Sequence, residues 1–303
     1  MSPQRIVVTG ATGLIGGALT ESLRADGHTV HRVTRNAAAA QDGDVLWDPE
    51  AGTIDAAALE GVDGVVHLAG EPIGDHRWSA EVKRRIRDSR EHGTRLLATT
   101  LAELDDPPAV LVSASGIHYY GDRGDEVLTE DAEPGEGFLP EVCIAWERAT
   151  RPAEEAGIRV AIARSGVVLA AGGPLIDKVE LPFRLGVGGR IGSGRQYVPW
   201  IALDDHIRAL RYLLDHRSLA GAINFTSPDP ATNAELTKAI GDVLRRPTVL
   251  PIPVAAIRLL YGEMGETLAA QSQRAIPRRL QESGFAFEHT LTSALRAALR
   301  KRR

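Results

Sequence analysis

The stretch Arg5-Ile6-Val7-Val8-Thr9-Gly10-Ala11-Thr12-Gly13-Leu14-Ile15-Gly16 constrains everything that follows it. An apolar, β-branched run from Ile6 to Val8 ends in Gly10, Gly13 and Gly16, spaced three apart. Behind them Leu14, Ile15, Ala18, Leu19, Ser22 and Leu23 keep a helical period, and Gly27 stops it as a C-cap would. The pattern predicts strand, tight turn, helix. Such a turn aims backbone N–H groups and the positive end of a helix at an anion. Glycine suits it because a pyrophosphate must reach the backbone with no Cβ between. In this setting the turn points to a dinucleotide, with Gly10, Thr12, Gly13, Leu14, Ile15 and Gly16 as contact candidates. The plainer alternative is a βα unit with a glycine-rich turn.

The second strand, His28-Thr29-Val30-His31-Arg32-Val33-Thr34-Arg35, identifies the dinucleotide. A site for NAD wants an acid at this strand's end, to accept from the ribose hydroxyls. Here the strand ends in Thr34, Arg35 and Asn36, and the first acid after it is Asp42. Arginine offers a planar, permanently charged fork to a 2′-phosphate. The expected cofactor is therefore NADP(H), held by Thr34 and Arg35; a solvated loop arginine is the competing reading.

Strand-like runs at 6–9, 29–34, 64–68, 109–113, 159–163 and 222–226 alternate with helical stretches near 14–25, 80–104, 141–156, 204–216 and 232–245. That alternation predicts an α/β fold, a doubly wound parallel sheet covered on both faces. Residues 44–54 resemble a small hairpin. Pro247, Pro251 and Pro253 break the chain, which suggests a dinucleotide-binding domain over 1–245 and a smaller, mostly helical C-terminal domain over 246–303. Within the first, 170–200 reads as a substrate-side loop insertion. Its Gly186–Gly194 stretch, with Arg190 and Arg195, is either a lid that binds an anion or a solvated loop.

A net charge of −5 argues against nucleic acid as a partner. Two basic clusters, 83–87 and 300–303, read as solvated helix segments. A single cysteine, Cys143, excludes an intramolecular disulfide and suggests the cytoplasm. No apolar run reaches membrane-spanning length, and the first residues lead straight into a strand without a basic-then-apolar leader, so no membrane partner is expected. No His/Cys/Asp cluster has metal-ligand spacing, so no metal is expected.

Several motifs now converge. Thr9–Gly16, His67-Leu68-Ala69-Gly70, Ser113-Ala114-Ser115 with Tyr119-Tyr120-Gly121, Arg164–Leu169 and Trp200–Asp205 resemble landmarks of the extended short-chain dehydrogenase/reductase superfamily. Leu68–Ile73, Ile86–Arg90, Gly192–Gln196 and the tail from Gly262 to Phe285 are similar to its atypical, bacterial epimerase-like branch with a characteristic C-terminal domain. The resemblance implies that Leu68, Ala69 and Gly70 line the adenine and ribose side. It implies that Ser115, or Ser113, binds the reacting oxygen, and that the chain forms a homodimer through two helices.

The superfamily's relay uses Ser, Tyr and Lys, with the last two four residues apart on one helix face so that the ammonium lowers the phenol pKa. No Tyr-x-x-x-Lys occurs anywhere in this chain. Registering Glu147 on the family's helix puts Cys143 at the lysine position and Leu139 at the tyrosine position. Arg90 and Tyr120 remain as groups that could polarise a carbonyl or supply a proton; the competing readings are a cofactor-binding or carboxylate-paired Arg90 and a packed structural ring for Tyr120. Cys143 between Leu139 and Trp146 reads more readily as packing than as a nucleophile. Glu71 and His118 are further titratable groups, with a dipole-stabilising acid and a bystander histidine as their plainer readings. The function expected is an NADP(H)-dependent oxidoreductase or epimerase-like enzyme acting on a small polar, sugar-derived substrate. A catalytically silent NADP(H)-binding sensor or scaffold is the alternative.

Overall fold

The computed structural model describes residues 3–299. The strands are β1 (Arg5–Thr9), β2 (Thr29–Thr34), β3 (Val45–Asp48), β4 (Thr53–Ile54), β5 (Gly64–His67), β6 (Val110–Gly116), β7 (Val127–Leu128), β8 (Arg159–Ser165), β9 (Val167–Leu169), β10 (Tyr197–Val198), β11 (Trp200–Ala202), β12 (Gly221–Phe225), β13 (Ala231–Thr232) and β14 (Arg274–Ala275). The helices are α1 (Leu14–Ala25), α2 (Ala80–Ala102), α3 (Phe138–Arg148), α4 (Arg151–Glu155), α5 (Pro174–Arg184), α6 (Leu203–Asp215), α7 (Asn233–Leu244), α8 (Val254–Ala270), α9 (Arg278–Glu282) and α10 (Leu291–Ala298). The basic end Arg300-Lys301-Arg302-Arg303 lies outside the described residues. Among the described residues, no helix is long and apolar enough to cross a membrane.

Eight strands form the central sheet in the order β12-β8-β6-β5-β1-β2-β3-β4. All its pairs are parallel except β3 with β4. The 44–54 hairpin is thus present, but its first strand also extends the main sheet beside β2. Alternation along β1 sends Val8 to the face covered by α1 and α6, with Leu19, Leu23 and Leu210, and Val7 to the α2 face, with Leu97 and Leu101. The expected single helix over 141–156 is two helices, because the chain turns at Ala149 and Thr150 before Pro152 starts α4 at a position where its missing N–H costs nothing. The 170–200 stretch, expected as a loop insertion, contains α5 and reaches β10; Pro174 opens the helix at N1.

The C-terminal segment is threaded into the core. β14 pairs with β7, Leu280 and Phe285 complete the α1/α6-side cluster, and α10 packs on α7. The Asn224 side-chain amide donates to the Ile276 carbonyl at 3.0 Å, and Arg279 Nη1 donates to the Ala222 carbonyl at 2.7 Å. Strand order reverses direction between β1 and β5, so the crevice above their carboxyl ends is where a ligand of this fold class binds.

Candidate active site

The β1–α1 turn sits at that crevice. Gly10 adopts φ +66°, and a Cβ there would lie 3.0 Å from the Ala69 amide nitrogen and the Leu68 carbonyl oxygen. The turn and the 68–70 segment therefore touch backbone to backbone, which only glycine allows. A Cβ on Gly16 would overlap the Gly10 carbonyl and stand 2.9 Å from Ala11 Cα. Gly13 takes the N-cap of α1 in extended conformation with no side chain capping the helix, and its amide bonds to the Gly10 carbonyl at 2.9 Å. The amides of Thr12, Leu14 and Ile15 have no backbone partner among the described residues. Unsatisfied donors at an uncapped helix start make an anion cradle.

A buried network fixes the neighbouring segment. Thr9 Oγ1 accepts from the amides of Leu68 and Ala69, each at 3.0 Å. With both acceptor sites used, its own hydrogen goes to His67 Nδ1 at 2.8 Å, so the His67 proton sits on Nε2 and is donated to Thr94 Oγ1 at 2.9 Å. Burial pushes the His67 pKa down to about 4, and the ring is neutral at physiological pH. At the end of β2, Thr34 Oγ1 accepts from the Asn36 amide at 3.1 Å. Arg35 is exposed and makes no ion pair or side-chain hydrogen bond among the described residues. Arg32, three residues earlier, is tied to Asp44.

Ser115 and Tyr120 share one buried polar network. The Ser115 hydroxyl donates to Glu147 Oε1 at 2.7 Å. Arg164 grips the same carboxylate with Nε and Nη2, both at 2.8 Å, and gives Nη1 to the Tyr120 hydroxyl at 3.0 Å. Tyr120, with no exposed surface, donates onward to Asn224 Oδ1 at 2.8 Å. Burial raises its pKa to about 12 against the pull of Arg164. Burial also works against the Arg164 charge, but the Glu147 carboxylate more than offsets it and holds the guanidinium above the ordinary arginine range. Ser113 is buried, its hydroxyl turned to the Ala114 carbonyl at 3.4 Å.

Helix α3 descends as β6 rises, so contacts pair off along them. The Cys143 thiol donates to the Gly116 carbonyl at 3.6 Å, while Glu147, one turn further, meets Ser115. Leu139 lies about 6 Å above Cys143, given 1.5 Å of rise per residue.

Arg90 packs against Gly70, in the segment that borders the glycine turn. Its Nη1 donates to the carbonyls of Glu71 at 2.8 Å and Ile86 at 3.1 Å, and its guanidinium stacks on the Trp146 ring at 4.8 Å. A Cβ on Gly70 would meet the Arg90 guanidinium carbon at 3.3 Å, so glycine there leaves room for the stacked cation. Burial lowers the Arg90 pKa to about 10, still charged at neutral pH. Burial, and then the adjacent Arg90 charge, push His118 down to about 4. Burial raises the Cys143 pKa to about 11, leaving a protonated thiol. Glu71 faces Arg85 at 3.4 Å. The structure thus brings Arg90, His118, Cys143 and Gly70 together, with Ser115 beside Cys143 and its hydroxyl given to Glu147, and Tyr120 further along the same buried network. Sequence reasoning missed the Glu147–Arg164–Asn224 network. Its signal was Arg164 standing as the lone charge between the apolar runs Val160–Ala163 and Val167–Leu169.

Comparison with known proteins places this geometry. Residues 6–224 match the NAD dependent epimerase/dehydratase family, and residues 252–298 match a domain of unknown function, DUF1731. The chain is 44% identical over 291 residues to the epimerase family protein Mb2239 of Mycobacterium bovis, covering 96% of both chains. It superposes on the crystal structure of human epimerase family protein SDR39U1 (isoform 2) with NADPH at a TM-score of 0.89, with 35% identity, covering 97% of this chain and 99% of that one. A nucleoside-diphosphate sugar epimerase from Corynebacterium glutamicum gives a TM-score of 0.82 at 35% identity, over 98% of this chain and 58% of that one. With a Rossmann-type sheet, a glycine turn at its switch point and these matches along nearly its whole length, the chain belongs to the NAD dependent epimerase/dehydratase family, in its atypical short-chain dehydrogenase/reductase branch.

Proposed function

We propose that this protein binds NADP(H) and uses it in an oxidoreductase or epimerase-like reaction on a small polar, sugar-derived carbonyl or alcohol. The observation that carries the reading is the glycine cradle, where a Cβ on Gly10 or Gly16 would enter neighbouring backbone and free amides sit at the start of α1. These residues fit a pyrophosphate. Arg35, exposed and without a partner among the described residues, fits a 2′-phosphate at the tip of β2. The solved relative SDR39U1 carries NADPH, which supports the same form here. Thr12, Leu14 and Ile15 would hold the phosphates through their amides, Thr34 would flank Arg35, and Leu68, Ala69 and Gly70 would line the ribose side. When bound, the cofactor supplies or accepts hydride.

The chain's own part in the chemistry falls to Arg90 and His118. Arg90 keeps its charge beside the cleft and orients toward a developing oxyanion. His118, neutral at physiological pH, offers a ring N–H or a lone pair to the substrate. Ser115 and Tyr120, whose hydroxyls are given to Glu147 and Asn224, hold the floor of the site. The division into a cofactor domain over 1–245 and a smaller unit over 246–303 that closes the cleft completes the proposal. A specific observation favours the second reading, a silent NADP(H)-binding sensor: no Tyr-x-x-x-Lys occurs in the chain, and the buried Cys143 thiol is un-ionised.

Calorimetry with NADPH and NADH tests the cofactor half. NADPH binds tightly, and Arg35→Ala weakens it by about 10- to 100-fold, the worth of a charged hydrogen-bonded contact, while NADH affinity stays constant. Equal loss for both forms sinks the Arg35 assignment. Oxidation of NADPH against a panel of sugars, aldehydes and quinones separates enzyme from sensor. Turnover that disappears in Arg90→Met with NADPH affinity retained supports the enzyme, and silence across the panel with tight retention supports the sensor.

A further inference from the structure

The surface around α5 and the first half of α8 departs from the rest of the molecule in both polarity and charge. Leu181, Leu185 and Val187 stand out beside the end of α5, Val249 and Leu250 precede α8, and Leu259 and Leu260 lie on it. These seven side chains are between 55% and 82% exposed. They belong to adjoining segments. The amide of Ile252 donates to the Arg190 carbonyl at 2.7 Å, that of Gly192 to the Ile252 carbonyl at 2.8 Å, and Gly189 packs directly under the Leu250 carbonyl. Phe183 of α5 closes on Gly188.

Arg258, Leu259, Leu260 and Tyr261 are four consecutive exposed residues. At 100° per residue they sweep most of a helical turn, so this part of α8 stands proud of the protein. A break follows at Gly262, with φ +67° and ψ −152°.

The charge points the same way. Residues 174–198 carry Lys178, Arg184, Arg190 and Arg195 against Asp177 and Glu180; residues 245–262 carry Arg245, Arg246 and Arg258 with no acid. These two segments hold an excess of five positive charges in a chain whose net charge is −5. The nearest acids beyond the 245–262 segment in sequence, Asp242, Glu263 and Glu266, are ion-paired to Lys238, Lys83 and Arg258.

We propose that this face docks on an anionic lipid bilayer, with the protruding leucines and valines entering the acyl boundary and the flanking arginines meeting the headgroups. Aliphatic side chains that project this far suit a deformable medium, and arginine and lysine stems lie along it while their heads stay in the polar layer. A second copy of the chain is disfavoured, since an isologous contact would set the cationic segments against themselves. No spanning helix is required for surface binding.

Sedimentation of the full chain with unilamellar vesicles tests this. Binding is expected to phosphatidylglycerol/phosphatidylcholine vesicles, to fall at high salt, and to be absent with phosphatidylcholine alone. Leu259→Glu/Leu260→Glu is expected to weaken it at least tenfold. Arg245→Glu/Arg246→Glu should weaken it further than the roughly fivefold per lost cation expected at an anionic surface. All four positions are exposed, and unchanged NADPH affinity and melting confirm that each variant is folded. No sedimentation with anionic vesicles, or the same binding in the leucine variant, overturns the proposal. So does a concentration-dependent dimer in light scattering that the leucine variant abolishes without any vesicle binding, which would give the face to a second copy.

Discussion

Replacing Arg164 by methionine removes the charge at the centre of the buried network while keeping an unbranched chain of similar reach. Arg164 is 4% exposed, and its loss strands the Glu147 carboxylate with only the Ser115 hydroxyl as a side-chain partner. It also removes one of two partners from Tyr120 and the cation that lies 3.4 Å from the Tyr119 ring centre. Breaking a buried pair by deleting one member costs about 3–5 kcal/mol. A chain of this size loses about 2 °C of melting temperature per kcal/mol, so a drop of about 6–10 °C is expected. The double variant Arg164→Met/Glu147→Leu removes both charges and should recover most of the loss, because an apolar pair can replace a buried ion pair at little cost. Urea denaturation of the three variants, followed by tryptophan fluorescence, measures this. A single variant within about 1 kcal/mol of the parent, or a double variant no more stable than the single, would refute the view that the bridge is a mutually compensated charge pair.

Gly16→Ala should lower NADPH affinity at least tenfold or prevent folding, since its Cβ would overlap the Gly10 carbonyl, whereas Gly17→Ala, whose nearest neighbour would stand at 3.6 Å, should be neutral or slightly stabilising; calorimetry on the two separates a local clash from general intolerance of the turn. The buried histidines His67 and His206, pushed by burial to about 4 and about 3, are neutral when folded and have ordinary pKa values when unfolded. Their folded values are depressed, so the unfolded state takes up the extra protons: stability is flat above about pH 6.5 and falls below it by up to about 1.4 kcal/mol per pH unit for each ring. Denaturation midpoints unchanged from pH 7 to pH 4.5 would contradict the neutral assignment.

The sheet was legible because β1, β5, β6 and β8 are short apolar runs separated by helical periods, and the glycine turn marks the switch point unaided. The break between α3 and α4 was not, since apolar spacing continues through Ala149 and Ala153 and only Pro152 hints at a restart. Helix α5 was hidden by the glycines that surround it and by Pro182 within it. Arg90 was legible as a candidate alongside Ser115 and Tyr120, but its stacking on Trp146 needed the packing of α2 against α3. The engagement of Ser115 with Glu147 was out of reach, because motif spacing fixes which strand carries a residue and says nothing of which partner consumes its hydroxyl.

The embedding of β14 and α9 in the core has a consequence for biosynthesis. Asn224 and Glu130 obtain partners from Ile276 and Arg279 only after those residues leave the ribosome, and the hydrophobic layer under α6 lacks Leu280 and Phe285 until then. The nascent chain must therefore wait, with most of its sheet already made, for its final segment to arrive. Truncation anywhere before about residue 285 should yield an aggregation-prone species rather than a smaller stable protein.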